Sequence, residues 1–211
     1  MRKLALFDVD YTLTSKETLI AFYGYVAKKN PKHFLHLPKA LLSGLLFITG
    51  VQKEKATKEM FLTFLKEMPM DTLDTLAESF VQEEVLTFLY EDGLRKAQEL
   101  KDKGYTIVLT SASPEFYILK LQKIFQADFV MGTRYHVENG RFTGKMLGEN
   151  NKGQEKVRRL YEVLPKETLD LKASYMYSDS MSDAPLLSLV GKPYLINYRK
   201  KNPLYPVLNW R

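Results

Sequence analysis

The chain has 211 residues, 45% hydrophobic and 27% charged, with 31 lysines and arginines against 25 aspartates and glutamates, a net charge of +6. That length suits one large domain, or a core with a modest insertion. The absence of cysteine excludes disulfides and thiolate metal sites, and His33, His36 and His136 do not form a zinc ligand set.

The first predicted element is a buried strand over residues 3–9, "KLALFDV", a continuous apolar run closed by Asp8 and followed by Asp10. Residues two apart share one side of a strand, so these carboxylates repel unless the chain turns between them or a cation sits close by. The alternative is a surface loop that starts early. The apolar run is shorter than the 7–15 residues of a secretory signal, and no stretch reaches the roughly 18 apolar residues of a spanning helix. The expected location is cytoplasmic.

Residues 16–91 show little strand pattern and read as several helices, with apolar positions at helical spacing in "KEMFLTFLKEM" (58–68). All of the excess charge lies here: residues 16–58 hold eight lysines against Glu17 and Glu54. Residues 40–51 then run twelve without a charge. Such a run suits either the core of the helical segment or an interfacial element that contacts anionic lipid. Nucleic acid is not an expected partner, because no reading motif accompanies the lysines and no interleaved aromatics form a stacking platform.

Beyond this block, helices are predicted over 93–103, 114–124 and 153–163, and strands over 105–110, 127–132, 173–178 and 193–197. Asn139-Gly140 between alternating runs predicts a hairpin within 134–144. Strands alternating with helices of this length indicate an α/β fold, a Rossmann-like parallel sheet with helices on both faces. The helical block reads as a cap inserted after the first strand, dividing the chain into a core of 1–15 and 92–211 and a cap of 16–91. Ligands of such sheets bind beyond the carboxyl ends of the strands, where Asp8 is expected.

Several residues gather at that edge. Ser111 ends its strand, and Ser113-Pro114 fits the N-cap and first position of a helix whose N-terminus would attract an anion. Lys152 stands at a predicted helix start, where a cation opposes the dipole unless an anion faces it. Asp179 and Asp183 follow a late strand. Each feature alone also suits ordinary capping or solvation.

The ordered set, "DVDYT" after strand one, Ser111 after strand two, a helix-start lysine and "SDSMSD" after a later strand, resembles the haloacid dehalogenase-like phosphohydrolases. The resemblance is to the phosphoserine-phosphatase-like branch with a helical cap, and it spans the whole chain. It implies that Asp8 is the nucleophile forming an aspartyl-phosphate and Asp10 the general acid/base. Thr12 would support the turn, while Ser111, Ala112 and Lys152 would hold phosphoryl oxygens. Mg²⁺ would lie on the Asp8 carboxylate, the Asp10 backbone carbonyl and Asp179 with Asp183 in support, which also explains two acids closing one strand. Family members often carry glycine where Tyr11, Ser178 and Ser180 stand.

The same resemblance places Glu17 where phosphoserine phosphatases contact the substrate amine, but no arginine occurs between Arg2 and Arg95 to take a substrate carboxylate. The lysine-rich, then apolar stretch 28–51 resembles the cap of C-type phosphatidylglycerophosphate phosphatases. The expected substrate is therefore a small or amphiphilic phosphomonoester, lipid included, with peripheral contact to an anionic membrane as a further expectation. Hydrolysis and transfer of the phosphoryl group to another alcohol stay open, as does the oligomeric state.

Overall fold

The structure, a computed structural model, describes residues 1–201 and 203–211. The chain opens with β1 (Leu4–Phe7), whose four side chains are all buried. It then runs through α1 (Thr18–Lys29), α2 (Leu37–Ile48), α3 (Glu54–Phe61), α4 (Met70–Glu83) and α5 (Glu91–Asp102), with 3-10 turns at Pro31–His36, Leu62–Leu65 and Val85–Phe88. The predicted 58–68 helix therefore ends at Phe61 and tightens into a 3-10 turn, whose Leu62, Phe64 and Leu65 are buried. After β2 (Thr106–Pro114) come α6 (Glu115–Ile118), α7 (Leu121–Ile124), β3 (Phe129–Thr133), the hairpin strands β4 (Tyr135–Glu138) and β5 (Arg141–Met146), and α8 (Gln154–Val163). The chain finishes with β6 (Tyr175–Ser178), α9 (Ala184–Leu187), β7 (Lys192–Ile196) and the short β8 (Val207–Leu208), which the sequence did not signal.

Six strands form one parallel sheet in the order β3-β2-β1-β6-β7-β8. The chain winds outward from β1 in one direction through β2 and β3, then in the other through β6 and β7. The carboxyl end of β1 is thus the point where strand order reverses, the usual place for a ligand crevice in such sheets. Period-two alternation divides the core. Ala5, Phe7, Ile107, Leu109 and Tyr177 pack under α1, α4 and α5, while Leu4, Leu6, Val108 and Met176 pack against Val157 and Leu160 of α8 and Leu186 of α9. The hairpin is as predicted, its two-residue turn made by Asn139 and Gly140 at φ 48° and 72°.

The helical segment between β1 and β2 is entered and left through neighbouring chain segments. Ser15 N donates to Phe88 O at 2.8 Å, and Tyr90 N to Leu13 O at 2.9 Å.

Four expectations are corrected. The helix over 114–124 is broken into the single turns of α6 and α7, and β2 runs on through Ser113 and Pro114. Ser113 is no N-cap, because its hydroxyl is drawn to Asp10 Oδ2 at 2.7 Å. Residues 40–51 do not fill a core: α2 buries only Ala40 and Ser43. The lysine-rich segment is also less positive than its sequence, since Glu84, Glu83 and Glu149 from outside it pair with Lys28, Lys29 and Lys55.

Candidate active site

Asp8 follows β1 directly, its N–H held by Tyr177 O at 3.0 Å, and its side chain is buried. The chain then turns back on itself: the amides of Thr12, Leu13 and Thr14 all donate to Val9 O. Tyr11 takes a left-handed φ of 58° to allow this, a conformation that costs a residue with a Cβ about 1–2 kcal/mol. A glycine at position 11 would meet this backbone need without a Cβ. Ser180 has no such need, since its φ of −132° is extended backbone.

Thr12 links the two acidic loops. Its hydroxyl donates to Asp8 Oδ2 at 3.2 Å and accepts the Asp179 N–H at 2.8 Å. Asp10 points elsewhere. Its Oδ1 accepts from the amide and the hydroxyl of Thr18, both at 2.6 Å, and its Oδ2 from Ser111 Oγ at 3.1 Å and Ser113 Oγ at 2.7 Å. It thereby ties the start of the helical segment to the end of β2. Asn151, fully buried, donates to Thr110 Oγ1, Ser111 O and Met131 O and so fixes the β2 terminus against the loop before α8.

Besides the expected Lys152, the site holds a lysine that was not singled out from the sequence. Lys152 lies on the rim, 41% exposed and paired with Glu54 at 2.9 Å. One helical turn later, Lys156 reaches inward, 3% exposed, with Nζ 2.7 Å from both Asp8 Oδ1 and Asp183 Oδ2. Lys156 stands beside Val157 and Leu160 on the buried face of α8. A lysine on that apolar stripe was the signal available in the sequence; the reading favoured the dipole argument at the first turn instead.

A second lysine was also missed. Lys58 of α3 donates to Ala112 O at 2.9 Å and Asn150 Oδ1 at 3.1 Å. It lines a cavity of about 250 Å³ together with Asp8, Asp10, Glu17, Ala112, Lys152, Lys156, Asp179 and Asp183. Every residue singled out from the sequence therefore borders this cavity except Thr12 and Ser111, which stand behind it and support Asp8 and Asp10.

Electrostatics at the cavity are dominated by crowded acids. Burial pushes the Asp8 carboxyl well up; Lys156 opposes that, and Asp183, Asp179 and Asp10 add to it. Burial also raises Asp179 to about 6, helped by Asp183. Burial works against the Lys156 ammonium as well, but Asp183 and Asp8 outweigh it and hold its pKa above that of free lysine. Glu17 is raised to about 7 by burial and by Asp10, with Lys58 in partial compensation.

Among the described residues, no three His, Cys, Asp or Glu side chains stand together as a ready-made metal cluster, since Asp10 is turned toward Thr18. The donor set nevertheless fits a hard cation. Asp8 and Asp183 face one buried ammonium, Asp179 lines the same cavity, and the buried Asp183 Oδ1 has no hydrogen-bond partner. Mg²⁺ needs only one or two carboxylates with substrate and water oxygens.

Known proteins are similar to this chain in sequence and fold. A histidinol-phosphatase of Neisseria meningitidis is 27% identical across all of both chains. A Bordetella pertussis Tohama I protein of unknown function superposes with a TM-score of 0.83 at 23% identity, over 94% of this chain and 92% of its own. A phosphoserine phosphatase captured as an analogue of its phospho-aspartyl intermediate superposes with a TM-score of 0.67 at 19% identity, over 94% and 88% of the two chains. The sequence pattern of the haloacid dehalogenase-like hydrolases matches residues 5–188, which include the whole acidic cavity and its three lysines. The chain belongs to that family.

Proposed function

We propose that this hydrolase is a Mg²⁺-dependent phosphomonoesterase working through a phosphorylated Asp8. The observation that carries the reading is the Asp8–Lys156–Asp183 arrangement at the switch point of the sheet: a buried carboxylate with a fixed cation beside it. An aspartate is a known phosphoryl acceptor, and phosphoryl transfer mainly requires alignment and compensation of oxygen charge.

Asp8 would attack phosphorus in line, forming an Oδ–P bond as the ester P–O bond breaks. Asp10 would turn from Thr18 to give its proton to the leaving oxygen. It would then take a proton from the water that attacks the phosphorus and frees Asp8. Lys156 steadies Asp8, and Lys58 and Lys152 stand where phosphoryl oxygens would need positive charge. Ser111 and Ser113 hold Asp10 between turnovers. The Asp8 and Asp179 carboxylates and the Asp10 backbone carbonyl would hold Mg²⁺, supported by Asp183, and the bound ion would offset developing charge on the phosphoryl oxygens.

Residues 16–91 act in this reading as a cap over a core of 1–15 and 92–211, joined by the paired segments around Leu13–Ser15 and Phe88–Tyr90. Phosphoserine as substrate is favoured by one feature, the presence of Glu17 and Lys58 on the same cavity wall. Lys58 is already engaged with Ala112 O and Asn150 Oδ1, and a lysine lacks the bidentate fork that grips a carboxylate.

A panel of phosphomonoesters, including histidinol phosphate and phosphoserine, tests the reading in the presence of Mg²⁺. Phosphate release that Asp8→Asn abolishes is expected, and no release from any member would overturn it. Adding a large excess of a simple alcohol separates hydrolysis from transfer, since a transferase would make the alkyl phosphate.

A further inference from the structure

The α2 helix is anomalous. A helix apolar on all sides is normally buried, yet Leu41, Leu45 and Ile48 are 66%, 59% and 82% exposed, and the flanking Leu35 and Val51 are 83% and 75% exposed. A contiguous apolar surface of this kind marks an interaction site. Leu41, Leu45 and Ile48 also line an open cleft of about 700 Å³ between α1, α2 and α3, whose other walls include Leu19, Tyr23 and Phe61. That volume falls within the roughly 300–1,000 Å³ of small-molecule sites. Its polar end is formed by Glu17, Glu54 and Lys58, and the same three residues line the catalytic cavity. Phosphate pocket and apolar cleft therefore adjoin one another across this polar wall.

A small polar phosphomonoester would fill the pocket and leave the cleft wet. We infer that the cleft takes the hydrocarbon chain of a lipid phosphomonoester, drawn from an anionic bilayer on which the face from Phe34 to Val51 rests. This rests on the phosphomonoesterase reading above. Charge decides for lipid over a second copy of the chain. No acidic residue occurs between Glu17 and Glu54, while Lys32, Lys39 and Lys53 are exposed there without an ion pair among the described residues. A symmetric contact would set these lysines against their own kind, whereas an anionic leaflet attracts them. No described helix is long and apolar enough to cross a membrane, so the contact is with one leaflet.

The test uses the full chain and a series of monoalkyl phosphates from ethyl to decyl, each below its micellar concentration. The expected kcat/KM rises by up to about fourfold per methylene, the factor for a fully buried CH₂, and reaches roughly 100-fold or more at decyl. Gly44 borders the cleft, and a Cβ built there meets nothing within 4 Å. Gly44→Leu should therefore fold, with helix content checked by circular dichroism, and lower the decyl-to-ethyl ratio at least about tenfold by occupying the space.

Sedimentation with vesicles of phosphatidylcholine, alone or mixed equally with phosphatidylserine, reads the bilayer contact. Binding only to the anionic vesicles, lost with salt and in the Lys32/Lys39/Lys53→Glu triple variant, is expected. Ethyl phosphate turnover with no rise along the series would overturn the inference and leave the phosphomonoesterase reading intact. Failure to hydrolyse any phosphomonoester would instead overturn that earlier reading. A chain-length preference that survives folded Gly44→Leu would place the chain outside the cleft. Absence of vesicle binding, or a dimer broken by Leu45→Glu, would refute the bilayer contact.

Discussion

Replacing Lys156 by methionine probes the site at its centre. The side chain is 3% exposed and its ammonium lies 2.7 Å from Asp8 Oδ1 and 2.7 Å from Asp183 Oδ2. Methionine keeps the apolar stem but leaves two buried carboxylates facing each other. Removing one partner of such a group costs about 3–5 kcal/mol. The deficit has a pH signature. With the cation gone, Asp8 is pushed up further by burial and its acidic neighbours, so the folded variant binds protons more readily than the unfolded chain. Its stability is then greatest in acid and falls as pH rises above the ordinary carboxylate range. Activity should fall roughly 10²–10³-fold, as for the loss of one fixed charge donor beside a reacting oxyanion. Lys152→Met removes a half-exposed pair with Glu54 at 2.9 Å, worth under about 1 kcal/mol of stability, and a charge at the cavity rim, so it should cost less stability and less activity than Lys156→Met. Urea midpoints at pH 5 and 8, with turnover of a simple aryl phosphate, compare the two variants. A harmless Lys156→Met beside a crippling Lys152→Met would refute the assignment.

Two other outcomes follow from the same geometry. Glu17 has its carboxyl raised to about 7, so the folded chain holds a proton there that the unfolded chain has lost; stability should decline as pH climbs from about 4.5 to about 7, by at most about 3 kcal/mol. Glu17→Gln should flatten that decline in chelator-treated protein, and superimposable pH profiles of urea midpoints would contradict it. Mg²⁺ should raise the melting temperature, by the equivalent of about 2.7 kcal/mol at a hundredfold excess over its Kd, and Asp179→Ala should remove most of the gain; a full gain in the variant would take Asp179 out of the metal site.

The sheet was legible because buried parallel strands are short apolar runs: residues 3–9 and 173–178 each contain an observed strand, and 127–132 covers all but the last residue of another. The acids of the site were legible because a carboxylate closing such a strand is a local anomaly. What escaped depended on contacts remote in sequence. Ser113 carries every local mark of an N-cap, yet Asp10, 103 residues away, captures its hydroxyl. Lys152 satisfied a local dipole argument, whereas Lys156 is selected by the Asp8–Asp183 pair that only the fold assembles. The exposure of α2 was equally hidden, because an apolar run reads the same whether a partner covers it or not.

The central claim is that the phosphoryl group passes through Asp8. The direct measurement is acid quenching during turnover, borohydride reduction and peptide mass spectrometry of the 4–14 region, since reduction converts an acyl phosphate to an alcohol and leaves a free carboxylate untouched. Homoserine at position 8, dependent on substrate, is the predicted result. Steady turnover with position 8 unmodified, or with the reduced residue at Asp10 or Asp179, would contradict it.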